Sequence, residues 1–340
     1  MDNQITTGIL SYGMSGRLFH APFVDTHPGF RLYAVTERSE KKARSRYPDI
    51  KSYDSVEELL SDPQIELVVI NTPNNTHFEF SKNALEAGKH ILVEKPFAAT
   101  SAEAKEVFDL AERMSLKVMV YQNRRWDSDF QSVRSVIESG SIGRLIEVHY
   151  RFDTYRREIS KKGFKEQPLP ASGLSYDLGP HLLDQVISLF GKPEKWLKTL
   201  GRFRPESQVD DYMNIHLLYP GGMNVYVTAS LLTSHPLPSF VLHGTQGSFI
   251  KQRTDIQEEQ LDKEISPVDS IYGVEPDGSE GILVTVNNQG GKETEYLCAL
   301  KGNHRPLFDA VYDCIRNDKP YPITSEQIIW QLQILESENM

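Results

Sequence analysis

Residues 8–23 read GILSYGMSGRLFHAPF, and in them a short apolar strand runs into a glycine-rich turn and then into a helix. The turn from Ser11 to Gly16 has the layout G-x-G-x-x-G of a dinucleotide-binding loop, with serine at the first glycine position. In such a loop the second glycine lets the backbone approach a pyrophosphate, and the third allows close packing of helix against strand. Gly13 and Gly16 keep these two roles. Ser11 can take the first position if its φ stays negative.

An ordinary connection between two core elements would also explain this turn. Two features favour the nucleotide loop: it opens the first βα unit, and Glu37 ends the second strand about twenty residues later. Glu37 can bond ribose hydroxyls and would favour NAD, whereas Arg38 can pair with the 2′-phosphate of NADP. Each is equally a solvated charge after a strand. We expect NADP or NAD as cofactor, with a preference for NADP.

The composition describes a protein of two domains whose substrate is a small molecule. The chain has 340 residues, 39% of them apolar, and a net charge of −10, which argues against nucleic acid as a partner. It has no apolar run long enough to span a membrane and no secretory signal at its start. Two cysteines, Cys298 and Cys314, suggest a reducing compartment. We therefore expect a cytoplasmic protein with no membrane partner.

Through residue 122 the pattern alternates apolar strands with amphipathic helices, which predicts a parallel sheet covered on both faces. This region, 1–122, is the predicted Rossmann dinucleotide-binding domain. The predicted strands are 6–11, 30–36, 67–71, 90–94 and 117–122. The predicted helices are 17–26, 41–47, 76–87 and 101–114.

Residues 123–340 form the predicted second domain, an α+β substrate-binding and oligomerisation domain. Its pattern indicates a large, mostly antiparallel open sheet flanked by helices, with a clear hairpin around Pro220-Gly221-Gly222. The other predicted elements are helices at 129–138, 181–190 and 325–336 and strands at 145–153, 241–250 and 282–288. The polar stretch 251–280 is interpreted as excursions between strands.

The strand in HILVEKPF, residues 90–97, ends in Glu94-Lys95-Pro96. A lysine just past a buried parallel strand points into the crevice where ligands bind at the carboxyl edge of such a sheet. Most lysines at strand ends are simply solvated, so the position alone does not establish a role. Pro96 is a candidate for a cis peptide bond.

Several motifs together resemble the Gfo/Idh/MocA oxidoreductases. They are Gly13–Gly16, NTPNNTHFEFSKNALEAGKH (71–90), VEKPF (93–97), YQNRRWDSDF (121–130) and YDLGPHLLDQVISLFG (176–191). NRRWDSDF and YDLGPHLLDQ are particularly similar to the scyllo-inositol 2-dehydrogenase branch, which often uses NADP. The resemblance covers almost the whole chain. It implies a Rossmann domain joined to an open antiparallel sheet, through which we expect a homodimer or homotetramer.

The resemblance implies that Lys95, Asp177 and His181 are catalytic. A cationic amine at Lys95 would stabilise an alkoxide-like transition state. In the sequence Pro180 marks a helix start, so Asp177 and His181 share one side of the first turn and His181 suits a general base. An N-cap at Asp177 with a packed His181 explains the same residues. A metal site of Asp177, His181 and Asp184 is less favoured, and we expect no metal.

The remaining site predictions follow from strand ends and from the family match. The residues expected to contact the cofactor are Ser11, Tyr12, Gly13, Met14, Ser15, Gly16, Glu37, Arg38, Asn71, Thr72, Pro73, Asn74, His77, Glu94, Lys95 and Asn123. The residues expected to contact the substrate are Arg124, Trp126, Asp153, Tyr155, Arg156, Asp177 and His181. His77 could instead cap or pack, Trp126 could belong to the core, and Arg125 could be an ion-pair partner. The other histidines, among them His20, show no grouping in sequence.

The sequence thus predicts an NAD(P)-dependent dehydrogenase acting on a cyclic polyol or sugar, with scyllo-inositol favoured. A pyranose oxidised at its anomeric carbon is the close alternative. A nucleotide-binding sensor without catalysis is a different class. The presence of Lys95, Asp177 and His181 together argues against it.

Overall fold

The computed structural model describes residues 3–160 and 166–340. Its strands are β1 Ile5–Ile9, β2 Phe30–Thr36, β3 Lys51–Tyr53, β4 Leu67–Ile70, β5 His90–Glu94, β6 Val118–Tyr121, β7 Leu145–Asp153, β8 Lys195–Gly201, β9 Tyr212–Tyr219, β10 Met223–Ser230, β11 Phe240–Gly244, β12 Gly247–Lys251, β13 Gly281–Val286 and β14 Lys292–Leu297. Its α-helices are α1 Ala21–Thr26, α2 Val56–Leu60, α3 His77–Glu86, α4 Ser101–Met114, α5 Ser128–Ser139, α6 Leu174–Asp177, α7 Gly179–Phe190, α8 Gln257–Asp262, α9 Arg305–Arg316 and α10 Ser325–Glu336. Among these helices, none is long and apolar enough to cross a bilayer.

The chain forms two compact units. The first unit comprises Met1–Asn123, Gln257–Tyr272 and Asn303–Ser325, and the second comprises Arg124–Ile256, Gly273–Gly302 and Glu326–Met340. A single boundary after residue 122 leaves α8 and α9 in the second domain, whereas the contacts place both in the first unit. The reason is packing: α8 contacts the turn after the glycine loop, and Phe308 of α9 stacks on Phe23 at 5.1 Å.

The first unit is built on a six-stranded sheet with the order β3-β2-β1-β4-β5-β6, and every pair in it is parallel. This is the strand order of a Rossmann fold, so the predicted fold class is confirmed. The middle strand β4 is fully buried, as a sheet covered on both faces requires. The sequence analysis missed β3 and α2, because three and five residues are too short to show a period.

The predicted helix 41–47 is wrong, since the structure has only a 3-10 turn at Ala43–Ser45. The predicted helix 17–26 begins instead with a π-helical turn, Gly16–His20, and becomes α-helical at Ala21. Likewise a 3-10 turn at Asn74–Thr76 precedes α3, which ends at Gly88 with φ of +76° as expected for a C-terminal glycine.

The second unit is built on an eight-stranded sheet with the order β14-β13-β12-β11-β7-β10-β9-β8. Only β7 and β10 pair in parallel, so the sheet is mostly antiparallel, as predicted. The predicted hairpin joins β9 and β10 through Pro220–Gly222. One face of the sheet packs against helices, with α5 on β12 and α7 on β7 and β10.

Candidate active site

The topological switch point of the first unit lies between β1 and β4, because the chain leaves β1 toward β2 and returns on the other side as β4. Ligands of open α/β sheets bind at the carboxyl ends of the two strands that flank this point. Ser11 follows β1 there, and Asn71 follows β4. The side-chain amide of Asn71 donates to the Ser11 carbonyl oxygen at 2.8 Å, which joins the two strand ends directly.

The backbone of the glycine loop leaves no room for a side chain at its third glycine position, Gly16. A Cβ on Gly16 would lie 2.0 Å from the Ser11 carbonyl oxygen, so only glycine fits at this position. A Cβ on Gly13 would meet only the Ser11 hydroxyl, at 3.3 Å. Ser11 is not among the described residues with positive φ, and its Oγ accepts the Gly13 N–H at 3.3 Å. The loop therefore accommodates serine at the first position and fits a dinucleotide pyrophosphate.

Glu37 accepts hydrogen bonds from the protein's own backbone and from a serine hydroxyl. Its side chain is buried, and its Oε1 accepts the backbone N–H groups of Lys42 and Ala43 at 2.7 and 3.1 Å. Its Oε2 accepts the Ser52 hydroxyl at 2.8 Å. Oε1 thus holds the loop after β2 in a turn, and Oε2 joins this loop to β3. Arg38, the next residue, is exposed.

His77 is completely buried, and both of its ring nitrogens face backbone carbonyls. Nδ1 lies 2.7 Å from the Pro96 oxygen and Nε2 lies 2.9 Å from the Thr72 oxygen. Burial lowers the pKa of the imidazole against the opposing effect of these carbonyls. His77 therefore ties the ends of β4 and β5 together, a role that fits the packing alternative. The Lys95–Pro96 bond is cis.

Glu94 is the centre of a group that the sequence did not reveal. Its Oε1 accepts the Ser15 hydroxyl at 2.7 Å and lies 2.9 Å from His20 Nε2, while its Oε2 accepts the Lys95 N–H at 3.2 Å. Burial raises the pKa of Glu94, but the hydrogen bond and charge of His20, the charge of Lys95 and the Ser15 hydroxyl outweigh burial and lower it.

No sequence signal pointed to this group, because Ser15 and His20 are five residues apart. An α-helix places residues at that spacing on different sides, whereas a π-helical turn brings them closer to one side. The π-helical turn Gly16–His20 therefore creates the grouping.

In the second unit the predicted helix 181–190 is present and begins at Gly179, but the short helix that ends at Asp177 was not predicted. Asp177 is the last residue of α6, and α7 begins at Gly179 with Pro180 in its first turn. His181 follows in that turn and is 6% exposed. The two side chains are separated by one helical turn across the short break at Leu178. A histidine beside the positive end of a helix is suited to act as a neutral base.

Arg125 is an ion-pair partner, the role considered for it in the sequence. Its Nε and Nη2 bond the two Asp184 carboxylate oxygens at 2.7 Å each, and Nη2 also donates to Gln327 at 2.8 Å. Burial raises the pKa of Asp184, and the Arg125 charge opposes that shift. Asp184 is thus a structural residue, as expected.

Four of the predicted substrate residues, Arg124, Asp153, Tyr155 and Arg156, lie at or near the end of β7. Arg124 lies over the Phe152 ring at 5.6 Å and bonds Asp127 at 3.1 Å. Asp153 accepts from Arg151 Nε at 2.8 Å. Tyr155 and Arg156, which follow β7, are exposed, and Trp126 is partly exposed.

Arg253 was not singled out by the sequence, yet it belongs to the same cluster. Its guanidinium lies 4.5 Å from the Phe152 ring centre and 4.9 Å from that of Phe240. Asp129 next to it is buried, which raises the pKa of that carboxyl to about 6 against the lowering effect of the Arg253 charge. Only the pairing of β11 with β7 brings these residues together.

Comparisons with known proteins agree with this architecture. Residues 5–122 match the model of the GFO_IDH_MocA oxidoreductase family with an NAD-binding Rossmann fold, and residues 130–250 match the GFO/IDH/MocA C-terminal domain. The uncharacterized oxidoreductase C115.03 of Schizosaccharomyces pombe is 38% identical over 98% of this chain and 96% of its own. The scyllo-inositol 2-dehydrogenase (NADP(+)) IolW of Bacillus subtilis is 30% identical over 98% and 92%. The crystal structure of an oxidoreductase from Bacillus cereus is similar with a TM-score of 0.90 and 31% identity, covering 98% and 95% of the two chains.

Proposed function

Since the chain belongs to the Gfo/Idh/MocA oxidoreductase family, we propose that it oxidises a secondary alcohol of an inositol-like cyclic polyol with NADP. The coarser activity, an NAD(P)-binding dehydrogenase acting on alcohol groups, follows from the family. The observation that carries the proposal is the place of Lys95. It follows β5 at the same sheet edge as the glycine loop, and its neighbour Glu94 bonds Ser15 of that loop.

The proposed chemistry divides the reaction between three side chains. His181 takes the proton of the reacting hydroxyl, and Asp177 orients the imidazole or a neighbouring hydroxyl. The Lys95 ammonium donates to the same oxygen as negative charge develops on it. A bound nicotinamide would supply the acceptor for the hydride that leaves the alcohol carbon. Protein side chains and cofactor together account for both hydrogens that the alcohol loses.

Two features support a polyol as substrate. The end of β7 offers donors and acceptors of both charges, among them Arg124, Asp153 and Arg156, and hydroxyl-rich ligands need such a lining. In addition, the relative IolW is named a scyllo-inositol 2-dehydrogenase. A pyranose oxidised at its anomeric carbon remains the rival substrate.

Two side chains support NADP over NAD. Glu37 already accepts three hydrogen bonds, from the Lys42 and Ala43 N–H groups and the Ser52 hydroxyl, so it has little acceptor capacity left for a ribose 2′-hydroxyl. Exposed Arg38 at the same strand end can meet a 2′-phosphate.

The activity is tested by following NADPH formation with a panel of inositols and sugars. We expect turnover with an inositol and a loss of about 100-fold or more in kcat for Lys95→Ala and for His181→Ala. His243→Ala, a partly exposed histidine on β11, is the matched control and should keep the wild-type rate. Turnover that survives both site variants would refute the assignment. Dinucleotide binding without turnover of any alcohol would favour the sensor.

The cofactor preference is tested by measuring Kd values for NADP and NAD. Arg38→Ala should weaken NADP binding about tenfold or more and leave NAD binding nearly unchanged, because only NADP carries the 2′-phosphate. Arg31→Ala removes another exposed arginine of β2 and should change neither value. Equal losses for the two dinucleotides in Arg38→Ala would contradict the proposal.

Self-association through the second unit's sheet is also proposed. On the sheet face opposite the buried Val225 and Val227, the Tyr226 ring stacks between His149 and His216 at centroid distances of 5.0 and 4.5 Å. Tyr226→Arg should lower the mass measured by light scattering to that of a monomer. Ile146→Arg, on the other face of β7, serves as the control. A monomeric wild-type protein would exclude this assembly.

A further inference from the structure

We infer that Glu94, oriented by His20, is a positioning residue that couples the glycine loop to Lys95 and sets the charge around its amine. The inference rests on the proposed function, because it assigns Lys95 the role of donor to the reacting oxygen. It adds two residues, Glu94 and His20, to the reaction, neither of which is expected to touch the substrate.

Glu94 joins three segments that the chain order keeps apart. Ser15 ends the glycine loop, His20 ends the π-helical turn that follows it, and Lys95 begins the segment after β5. A carboxylate only accepts hydrogen bonds, so His20 Nε2 must carry the hydrogen in this contact. The ring that holds Glu94 is itself immobilised: it is completely buried and packs on Tyr121 with a centroid distance of 4.4 Å.

The hydrogen bonds of Ser15 indicate that the arrangement is directed at Lys95. Ser15 has helical backbone angles and lies at the start of the helical segment. Its hydroxyl makes no capping hydrogen bond to a backbone N–H and donates to Glu94. Glu94 thereby links the glycine loop to the Lys95 backbone. Its Oε1 accepts the Ser15 hydroxyl, and its Oε2 accepts the Lys95 N–H.

The negative charge of Glu94 affects the protonation of the Lys95 amine. The Lys95 charge is one of the effects that lower the pKa of Glu94. Because electrostatic coupling is reciprocal, the carboxylate favours the protonated form of the Lys95 amine. Only the protonated amine is positively charged at the oxygen where charge develops.

A second buried histidine in the same unit, His27, is paired with the exposed carboxylate of Asp309 and provides a control. His27 Nε2 lies 2.9 Å from Asp309 and His27 Nδ1 accepts the Gly29 N–H, so this pair joins α1 to α9. Like His20, His27 is buried. Its partners belong neither to the glycine loop nor to β5.

The test measures the reactivity of the Lys95 amine directly. Trace acylation with acetic anhydride is followed by mass spectrometry of the Lys95 peptide over a pH series, for the wild type, Glu94→Gln, His20→Leu, His20→Gln and His27→Leu. In Glu94→Gln the acylation midpoint should move to lower pH by about one unit, because an opposite charge is lost. His20→Leu should move it in the same direction. His20→Gln keeps a donor toward Glu94 and should restore most of the wild-type profile. His27→Leu should lower Tm and leave the midpoint unchanged.

Turnover gives the second readout. With the alcohol identified in the activity assay, Glu94→Gln and His20→Leu should lower kcat about tenfold, with a smaller change in the KM for the alcohol, and shift the alkaline limb of the pH profile to lower pH. Acylation midpoints and pH profiles that stay at wild-type values in both variants, with only Tm lowered as in His27→Leu, would overturn the inference.

The proposed function and the inference about Glu94 can be refuted separately. A wild-type protein that turns over no alcohol refutes the proposed function, while the acylation series still tests the link between Glu94 and Lys95 without any substrate. If His20→Leu does not fold, Ser15→Ala removes the other donor from Glu94 Oε1 and is read by the same midpoint. A wild-type midpoint in both Ser15→Ala and Glu94→Gln refutes the inference.

Discussion

Arg125 and Asp184 form a bidentate ion pair in the interior of the second unit, with both nitrogen–oxygen distances at 2.7 Å. Asp184 lies three residues after His181 on α7, so the pair fixes the first turn of this helix relative to the segment that carries Arg124 and Trp126. The pair thus holds His181, a predicted catalytic residue, in place relative to Arg124 and Trp126, which are predicted substrate contacts. The pair itself need not contact the substrate or the cofactor.

Breaking this pair should destabilise the protein strongly. In Asp184→Asn the Arg125 guanidinium stays buried without its counter-charge, and we expect a loss of about 3–5 kcal/mol in the free energy of unfolding by urea. Asp109→Asn on α4 breaks the exposed pair with Lys105 and should cost about 0.5 kcal/mol or less. A loss in Asp184→Asn no larger than in this control would contradict the role of the pair.

The two glycines of the loop should separate folding from ligand binding. Gly16→Ala places a methyl group 2.0 Å from the Ser11 carbonyl oxygen, so both Tm and dinucleotide affinity should fall. Gly13→Ala meets only the Ser11 hydroxyl, at 3.3 Å. It should keep Tm near the wild-type value and weaken dinucleotide binding about tenfold or more, because the pyrophosphate needs close approach to this backbone. Thermal unfolding and fluorescence titration measure the two effects. Wild-type affinity in both variants would exclude the loop as the pyrophosphate site.

Asp129 should make the protein less stable as pH rises through the acid range. Burial raises its pKa to about 6, above the ordinary value of 3.8, so between these values the folded state holds a proton that the unfolded state has lost. The contribution of Asp129 to the free energy of unfolding therefore falls from about pH 4 to about pH 6. Asp129→Asn keeps an acceptor for the Thr254 and Asp255 N–H groups and cannot ionise. Relative to wild type, this variant should gain up to about 3 kcal/mol between pH 4 and pH 7, measured by urea unfolding. A constant difference would refute the assignment.

His77 should have the opposite effect from Asp129 and make the protein more stable as pH rises. Its pKa is lowered by burial, so below about pH 6.5 the unfolded chain binds a proton that the folded state excludes. This contribution to stability is present at neutral pH and is lost on acidification. Relative to His77→Gln, the wild-type protein should therefore lose stability between pH 7 and pH 5. His243→Gln, a partly exposed histidine, is the control in the same urea experiments. A His77 difference that does not vary with pH would show that the side chain titrates normally.

Features that depend on interactions between residues close together in the sequence could be predicted from it. The parallel sheet, the hairpin at Pro220–Gly222 and the helix start at Pro180 follow from local patterns, and the structure has all three. The sheet is indicated by runs of apolar residues, the hairpin by its turn residues, and the helix start by a proline that lacks an N–H. Each of these signals acts within a few residues. The family match rests on equally local motifs.

Long-range packing explains what the sequence analysis missed. The Lys42, Ala43 and Ser52 donors that bond Glu37 after β2 had no signal in the sequence, because the fold brings them to this carboxylate. His20 looked isolated until a π-helical turn brought it to Glu94, 74 residues further along the chain. The return of α8 and α9 to the first unit likewise has no local signal.

The amino-acid sequence by itself determined that a glycine loop, a lysine after a buried strand and an aspartate–histidine pair at a helix start occur in one chain. Local sterics and backbone hydrogen bonding are enough to place each of them at the end of its element. Only the tertiary structure decided which partners these side chains have, because each buried polar group must be satisfied by whichever donors and acceptors packing brings within about 3 Å.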